Sequence, residues 1–318
     1  MGDKKLASVV IRTLNEQRYL EELLTSINNQ RCSLVDVEVV IVDSGSTDRT
    51  LDIARSFGAR ITHIKKSEFT FGRSLNVGCE FANGNFLIFV SGHCIPASNE
   101  WLDELCKPFL DGVAQYSYGR QVGRDTTKYS EQCHFNKWFP EYSKIPQEGY
   151  FCNNANAAVT KDAWLKYRFC EKLTGLEDMH LAKQLVESGG QVAYVATAPV
   201  YHIHDETWRQ VRTRYEREAY ALKEIMPDVH FSFMDFVRYY ISGVMSDCAA
   251  AIREKTFSKN FKDILFFRFN HYWGTYKGNH EVRKLSKQKK LNYFYPKDLE
   301  KGKYHEKESS CTATNEGQ

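Results

Sequence analysis

Short β-branched runs alternate with segments whose apolar residues recur at helical spacing through the first third of the chain. The pattern predicts strands at 8–11, 37–42, 61–64 and 86–90. Between them it predicts helices at 16–27, where Leu20, Leu23, Leu24 and Ile27 share one face, at 47–57, and at 73–82, ending near Gly84. Ser46 or Thr47 would cap the second helix and Gly58 would stop it. Strand–helix alternation with short connections predicts an α/β fold: a Rossmann-like, mostly parallel sheet with helices on both faces. After Pro96 the rhythm changes. Helices are expected at 101–110, 126–139 and 176–187, the last closed by Gly189-Gly190. Extended segments are expected at 113–122 and 191–196, a loop or sheet-edge segment at 149–158, and long helices at 206–225 and 231–252. The domain reading is a catalytic domain at 1–225, an aromatic and basic helical extension at 226–305, and a disordered polar tail at 306–318.

Open α/β sheets bind ligands beyond the C-terminal ends of their strands. The apolar run 86–96 breaks at Ser91, which puts Ser91-Gly92-His93 at such an end. The run 39–43 leads into Asp43-Ser44-Gly45-Ser46-Thr47-Asp48. Small polar and acidic groups at two strand ends point to a nucleotide-sugar site. Taken alone, Asp43 reads equally as a turn or cap residue. His93 is the odd group, because a carboxylate is the more ordinary metal ligand there. Asn153, Asn154 and Asn156 offer uncharged donors and acceptors that suit sugar hydroxyls, with an edge turn as the alternative. In His202-Ile203-His204 both imidazoles face one side if the segment is extended, as a metal pair or as a surface pair. Glu177 and Asp178 open a helix, where acids favour the macrodipole, a role compatible with catalysis.

Composition narrows the class. The chain has 318 residues, 42% hydrophobic and 26% charged, with a formal net charge of +3, which fits a globular protein and gives no global charge for nucleic acid. Its 9 cysteines include no Cys-x-x-Cys pair and lie mostly in apolar patterns, as reduced thiols of a cytosolic protein would. Neither a signal peptide nor a membrane span is expected; the nearest apolar run, 231–252, is interrupted by Asp235, Arg238 and Asp247. The segment 261–276 is dense in aromatics and is followed by Lys284, Lys287, Lys289 and Lys290. That mixture suits peripheral contact with an anionic bilayer on the inner face of the membrane. It equally suits a subdomain packed on the core or on a second copy of the chain.

Five motifs in register then carry a resemblance. They are Ser8-Val9-Val10-Ile11-Arg12-Thr13-Leu14-Asn15-Glu16, Val42-Asp43-Ser44-Gly45-Ser46-Thr47-Asp48, Gly72-Arg73-Ser74-Leu75-Asn76-Val77-Gly78, the segment 89–96, and Gly175-Leu176-Glu177-Asp178. In order and spacing the chain resembles the family 2 glycosyltransferases, of GT-A fold, over roughly residues 7–215. The resemblance implies an inverting enzyme that moves one sugar from a nucleotide-sugar donor to a glycan or lipid-linked acceptor in bacterial surface polysaccharide biosynthesis. It implies that Thr13, Asn15, Glu16, Asp43 and Ser44 hold the nucleoside. Arg73, Ser91, Gly92, His93 and His204 would manage the diphosphate, with Asp178 as general base and Glu177 beside it at the acceptor. The family carries Asp-x-Asp where this chain has Ser91-Gly92-His93, so Mn or Mg use stays open. His93 and His204 are the candidate ligands, and imidazole suits Mg poorly. The Val42-Asp43-Ser44-Gly45 variant is similar to that of rhamnosyltransferases and hints at a deoxysugar donor. A sugar nucleotidyltransferase is the first rival, disfavoured because 12–16 contains no glycine. A non-catalytic partner in a glycan-assembly complex is the second, suggested by the lost Asp-x-Asp.

Overall fold

Val, Ile and Leu runs that must bury both faces form the centre of an eight-stranded sheet, ordered β3-β2-β1-β4-β7-β6-β8-β5. The computed structural model describes residues 4–281 and 285–296; the expected tail at 306–318 and Lys284 lie outside them. The chain begins β1 (Lys5–Thr13), α1 (Leu20–Asn28), β2 (Val35–Asp43), α2 (Thr50–Ser56), β3 (Arg60–His63), α3 (Phe71–Phe81) and β4 (Phe86–Ser91). It continues β5 (Cys94–Pro96), α4 (Trp101–Leu110), β6 (Tyr116–Val122), α5 (Tyr129–Trp138), β7 (Asn156–Thr160), α6 (Lys161–Tyr167), α7 (Glu177–Glu187) and β8 (Val192–His202). Four later helices are α8 (Trp208–Ile225), α9 (Phe233–Arg253), α10 (Phe257–Asn279) and α11 (Lys287–Phe294).

The run β3-β2-β1-β4 is parallel throughout. Beyond it the sheet is mixed: β7 lies antiparallel to both β4 and β6, β8 runs parallel to β6, and β5 closes antiparallel on β8. The segment expected as an edge or loop therefore yields a central strand. Ala157, Ala158 and Val159 are fully buried there, and their small side chains allow both neighbours close approach. Period-two alternation decides the layers. Ala7, Val9 and Ile11 of β1 face a core with Leu20, Leu23, Leu24 and Ile27 of α1. Val10 faces the opposite core with Leu75 and Cys79 of α3. A side chain at Gly78 would collide with Val10 and Val42, so α3 lies directly on the sheet there.

Two helices start later than their apolar pattern suggests. Asn15 adopts a left-handed φ of 56°, and the Glu16 carbonyl accepts from the amides of Tyr19 and Leu20, so a turn precedes α1. Ser46 and Thr47 do not cap α2: they bond Asp43 and the Asn15 side chain, and Asp48 accepts from the Thr50 amide instead. Gly58, at φ 70°, does end that helix.

The described chain forms two compact units. The first, residues up to Asp205 with Asp247–Ile264, holds the sheet. The second comprises Glu206–Ser246 and the chain from Leu265 onward, so α8, which the sequence reading placed with the catalytic part, belongs to the helical unit. Its core contains Val211, Tyr215 and Phe267. No helix among the described residues is long and apolar enough to cross a membrane.

Candidate active site

The parallel register sets Thr13 beside Asp43 and Arg12 beside Ser91. All four lie at strand C-termini, the ligand edge of such a sheet. Asp43 is 1% exposed and its carboxylate accepts four hydrogen bonds, from the Thr13 hydroxyl (3.0 Å), the Gly45 and Ser46 amides (2.9 and 3.0 Å) and the Ser46 hydroxyl (2.5 Å). His63 Nδ1 is 3.9 Å from the same carboxylate. Ser44 donates its amide and its hydroxyl to the Thr13 carbonyl. Asn15 receives the Thr47 amide, and its own amide donates to Ser46. Glu16 donates its amide to Thr50 and turns its carboxylate toward His93 Nδ1, 3.7 Å away. A Cβ on Gly92 would stand 2.9 Å from Glu16 Cγ, so glycine is what lets this turn sit against Glu16. Thr13, Asn15, Glu16, Asp43, Ser44, Gly92 and His93 thus form one cluster. Ser91 ends β4, and its amide donates to the Ala155 carbonyl (3.3 Å). Arg73 is exposed at the start of α3 and pairs with Glu68 (3.1 Å).

A second cluster shares that edge. Leu176 takes a left-handed turn, φ 56°, that starts α7 with Glu177 and Asp178 buried. Asp178 accepts from the amides of Asn154 and Met179, both at 2.8 Å. Burial, and then the neighbouring charge of Glu177, raise its pKa to about 7 against those two bonds and the Arg12 charge. Glu177 lies 3.6 Å from Arg12, whose guanidinium also donates to the Phe71 carbonyl (3.3 Å). Arg12 was not singled out from the sequence. The available signal was a cation in an otherwise apolar strand.

The asparagines divide. Asn156 is fully buried and its amide is engaged in the interior, accepting from Trp101 Nε1 (2.8 Å) and donating to the carbonyls of Arg120 and Ala198. It is unavailable to an acceptor, and this corrects the sequence reading. Asn153 makes a local turn with Ala155. Asn154 accepts from the Tyr116 hydroxyl, and its Nδ2 has no hydrogen-bond partner among the described residues.

His202 and His204 do come together, with ring centroids 4.0 Å apart. His204 Nδ1 lies 2.6 Å from Glu131 Oε1, and Glu131 is 1% exposed. Nothing in the sequence marks Glu131, an acid inside a polar helix whose partner is remote in the chain. Cys79, Cys94, Cys106 and Cys152 are buried free thiols whose pKa burial pushes up, which keeps them protonated and inert in the core.

The model of the family described as "Glycosyl transferase family 2" matches residues 8–172, more than half of the chain. The chain belongs to glycosyl transferase family 2. Its family-2 relatives include the O-antigen chain rhamnosyltransferase WbaN of Salmonella anatum, 29% identical over 189 residues, covering 56% of this chain and 60% of that one. Another is the O-antigen chain rhamnosyltransferase RfbN of Salmonella typhimurium, 26% identical over 65% of this chain and 69% of the relative. Among solved structures, the mannosyltransferase PcManGT from Pyrobaculum calidifontis, in complex with GDP-Man and Mn2+, superposes with a TM-score of 0.61 at 16% identity, covering 88% of this chain and 89% of that one. Glucosyl-3-phosphoglycerate synthase from Mycobacterium tuberculosis gives 0.53 at 20% identity, covering 69% and 79%. At these identities the likeness establishes the GT-A fold expected from the sequence. The family match supplies the membership.

Proposed function

We propose that this family-2 chain is an inverting glycosyltransferase that moves one sugar from a nucleotide-sugar donor to a glycan or lipid-linked acceptor in bacterial surface polysaccharide biosynthesis. The observation that carries the reading is one strand joining both clusters: Thr13 of β1 bonds Asp43, while the adjacent Arg12 pairs with Glu177, next to Asp178. Asp43, Thr13, Asn15, Glu16 and Ser44 hold the nucleoside end. The Asp178 carboxylate takes the proton of the acceptor hydroxyl as that oxygen attacks the anomeric carbon. The bond from that carbon to the donor phosphate breaks, and its electron pair leaves with the nucleoside diphosphate. Arg12 pairs with Glu177, and Asp178, whose pKa burial and the neighbouring Glu177 raise to about 7, is the acid that exchanges its proton near neutral pH. Asn153, Asn154 and Glu177 border the acceptor, and the exposed Trp138 and Tyr142 offer faces for a sugar.

Arg73, Ser91, Gly92, His93 and His204 face the diphosphate in this reading. The residues at the Asp-x-Asp position do not fit a carboxylate-held Mg ion, but the imidazoles of His93 and His204 fit a softer divalent ion. Such an ion would neutralise charge gathering on the leaving diphosphate. A deoxyhexose donor is supported by the names of the Salmonella relatives and by Val42-Asp43-Ser44-Gly45.

In the helical unit, Met234, Ile241 and Met245 are exposed on one face of α9, with Phe233 and Tyr239 exposed elsewhere on the helix. This face supports cytoplasmic placement at the inner membrane surface, tested by flotation with anionic liposomes; a second copy of the chain is the competing occupant. The central test is sugar transfer from a panel of nucleotide-sugars by the wild type and D178N. Loss of transfer with nucleoside diphosphate binding retained supports the reading; full transfer by D178N sinks it.

A further inference from the structure

Three imidazoles from two parts of the chain meet at the sheet edge. His93 sits in the turn between β4 and β5, His202 ends β8, and His204 follows two residues later. Antiparallel pairing of Cys94 with His202 brings the two segments together, and the Ile203 amide donates to the His93 carbonyl (3.2 Å). One ring nitrogen from each histidine lies within 4.8 Å of the others. The His93 ring centroid is 5.4 Å from that of His202 and 6.0 Å from that of His204.

Behind the rings stand oxygen acceptors. His202 Nδ1 is 2.6 Å from Gln121 Oε1, and His204 Nδ1 is 2.6 Å from Glu131 Oε1. An Nδ1–H donated to oxygen fixes the tautomer whose Nε2 carries the lone pair. A buried carboxylate behind an imidazole also raises its basicity as a ligand. Packing accounts for part of the arrangement, since Phe135 stacks on His202. Packing alone does not require three polar rings to converge, or a buried acid to support one of them. The donor set also selects among ions. Magnesium demands oxygen ligands in near-octahedral geometry, whereas imidazole nitrogen suits the later first-row ions such as cobalt, nickel, copper and zinc.

We propose that His93, His202 and His204 form a trihistidine site for a first-row transition-metal ion, supported from behind by Glu131 and Gln121, and that the site rejects Mg2+. Its place beside a donor diphosphate rests on the sugar-transfer reading; the metal chemistry stands on the histidines themselves.

The test uses the full chain, stripped with a chelator and titrated with Co2+ alone, followed by visible absorption. The expected result is one equivalent of Co2+ with the bands of a nitrogen-ligated site, displaced by Zn2+ and not by millimolar Mg2+. His202→Ala should abolish the bands. Glu131→Gln should keep them but weaken binding about 10- to 100-fold. If His202→Ala does not fold by circular dichroism, His93→Asn, on a partly exposed turn, decides in its place by losing the bands. Absence of the bands in the wild type, displacement by Mg2+, or wild-type affinity in Glu131→Gln together with a folded histidine variant overturns the proposal. Nucleoside diphosphate binding is followed separately by thermal shift. Nucleotide binding and transfer without a cobalt site overturn the metal proposal and leave the transfer reading intact. A cobalt site in a chain that binds no nucleotide does the reverse.

Discussion

Asp43 and Asp178 are the same side chain at the same sheet edge, both buried, yet their surroundings are opposite. Asp43 sits in a nest of donors, with two amides and two hydroxyls bonded to its oxygens. Asp178 has two amides and an acidic neighbour, and burial lifts its pKa to about 7. The two carboxylates differ in the number of donors supplied to them, four hydrogen bonds at Asp43 against two at Asp178, and the proposed division into recognition and proton exchange follows that difference. The difference arises in chain geometry. The Asp43 loop turns its own amides back through Gly45, at φ 102°, whereas the Leu176 turn places two consecutive acids at the start of α7.

The sharpest way to break the contrast is to make the same substitution at both sites. D178N removes a proton acceptor needed only in the transition state. Its kcat and kcat/KM should fall together by about 10³-fold, within the range for a positioned base. D43N should act chiefly on the donor side, raising donor KM with kcat less affected. Steady-state kinetics with varied donor separates the two. Equal loss of kcat in both variants would mean that the two carboxylates are not divided between binding and catalysis.

Stability should move in opposite directions. An asparagine at 43 turns an amide toward donors that now meet a carboxylate, and hydrogen bonds to a charged group are worth about 1.5–3 kcal/mol each. D43N should therefore unfold about 2 kcal/mol more easily in urea. For Asp178 the folded pKa lies above its ordinary value of 3.8. Below 3.8 both states hold the proton; between there and about 7 the native state keeps it and the unfolded chain releases it, so native stability falls as pH rises through that window. D178N has no such proton to lose. Its advantage over the wild type should grow from about pH 4 to about pH 7, by at most about 1.4 kcal/mol per pH unit, and then level off. A D178N advantage that shrinks with rising pH would contradict the burial argument.

How much of this was legible in the sequence follows the same physics. The run from β1 to β4 could be read because strands buried on both faces and helices with one apolar stripe leave strong periodic signals. Part of the Asp43 cluster could be read because the Gly45 and Ser46 donors lie within a few residues of it, whereas the Thr13 hydroxyl comes from the neighbouring strand. The second cluster assembles from α7, from residues 153–155 and from a strand far upstream, so no local pattern announces it. Asn156 illustrates the limit: three nearby asparagines looked alike, but only the tertiary structure shows that this one serves Trp101 and two carbonyls. The strand β7 was missed for a related reason, since an Ala-rich segment between two strands carries little hydrophobic signal. Glu131 and Arg12 pair with groups remote in the chain, His204 and Glu177.

The smallest effect tests whether Arg12 belongs to the catalytic side of the contrast. Its charge acts on Asp178 in the direction that favours the anion, opposing burial and Glu177. Arg12→Gln keeps a polar side chain of similar reach but removes that charge. The acid limb of the pH–rate profile, expected near 7 in the wild type, should then move upward by less than about one unit. The shift remains small because Arg12 pairs directly with Glu177, and reaches Asp178 only through the field they share. Asp43 supplies the control, since its bonds come from Thr13, Gly45 and Ser46 rather than from Arg12. Donor KM should stay nearly constant while the limb moves. A limb that stays fixed or moves downward would assign Arg12 to packing over Phe71, whose ring centroid lies 5.1 Å from the guanidinium carbon, and would leave Asp178 tuned by burial and Glu177 alone.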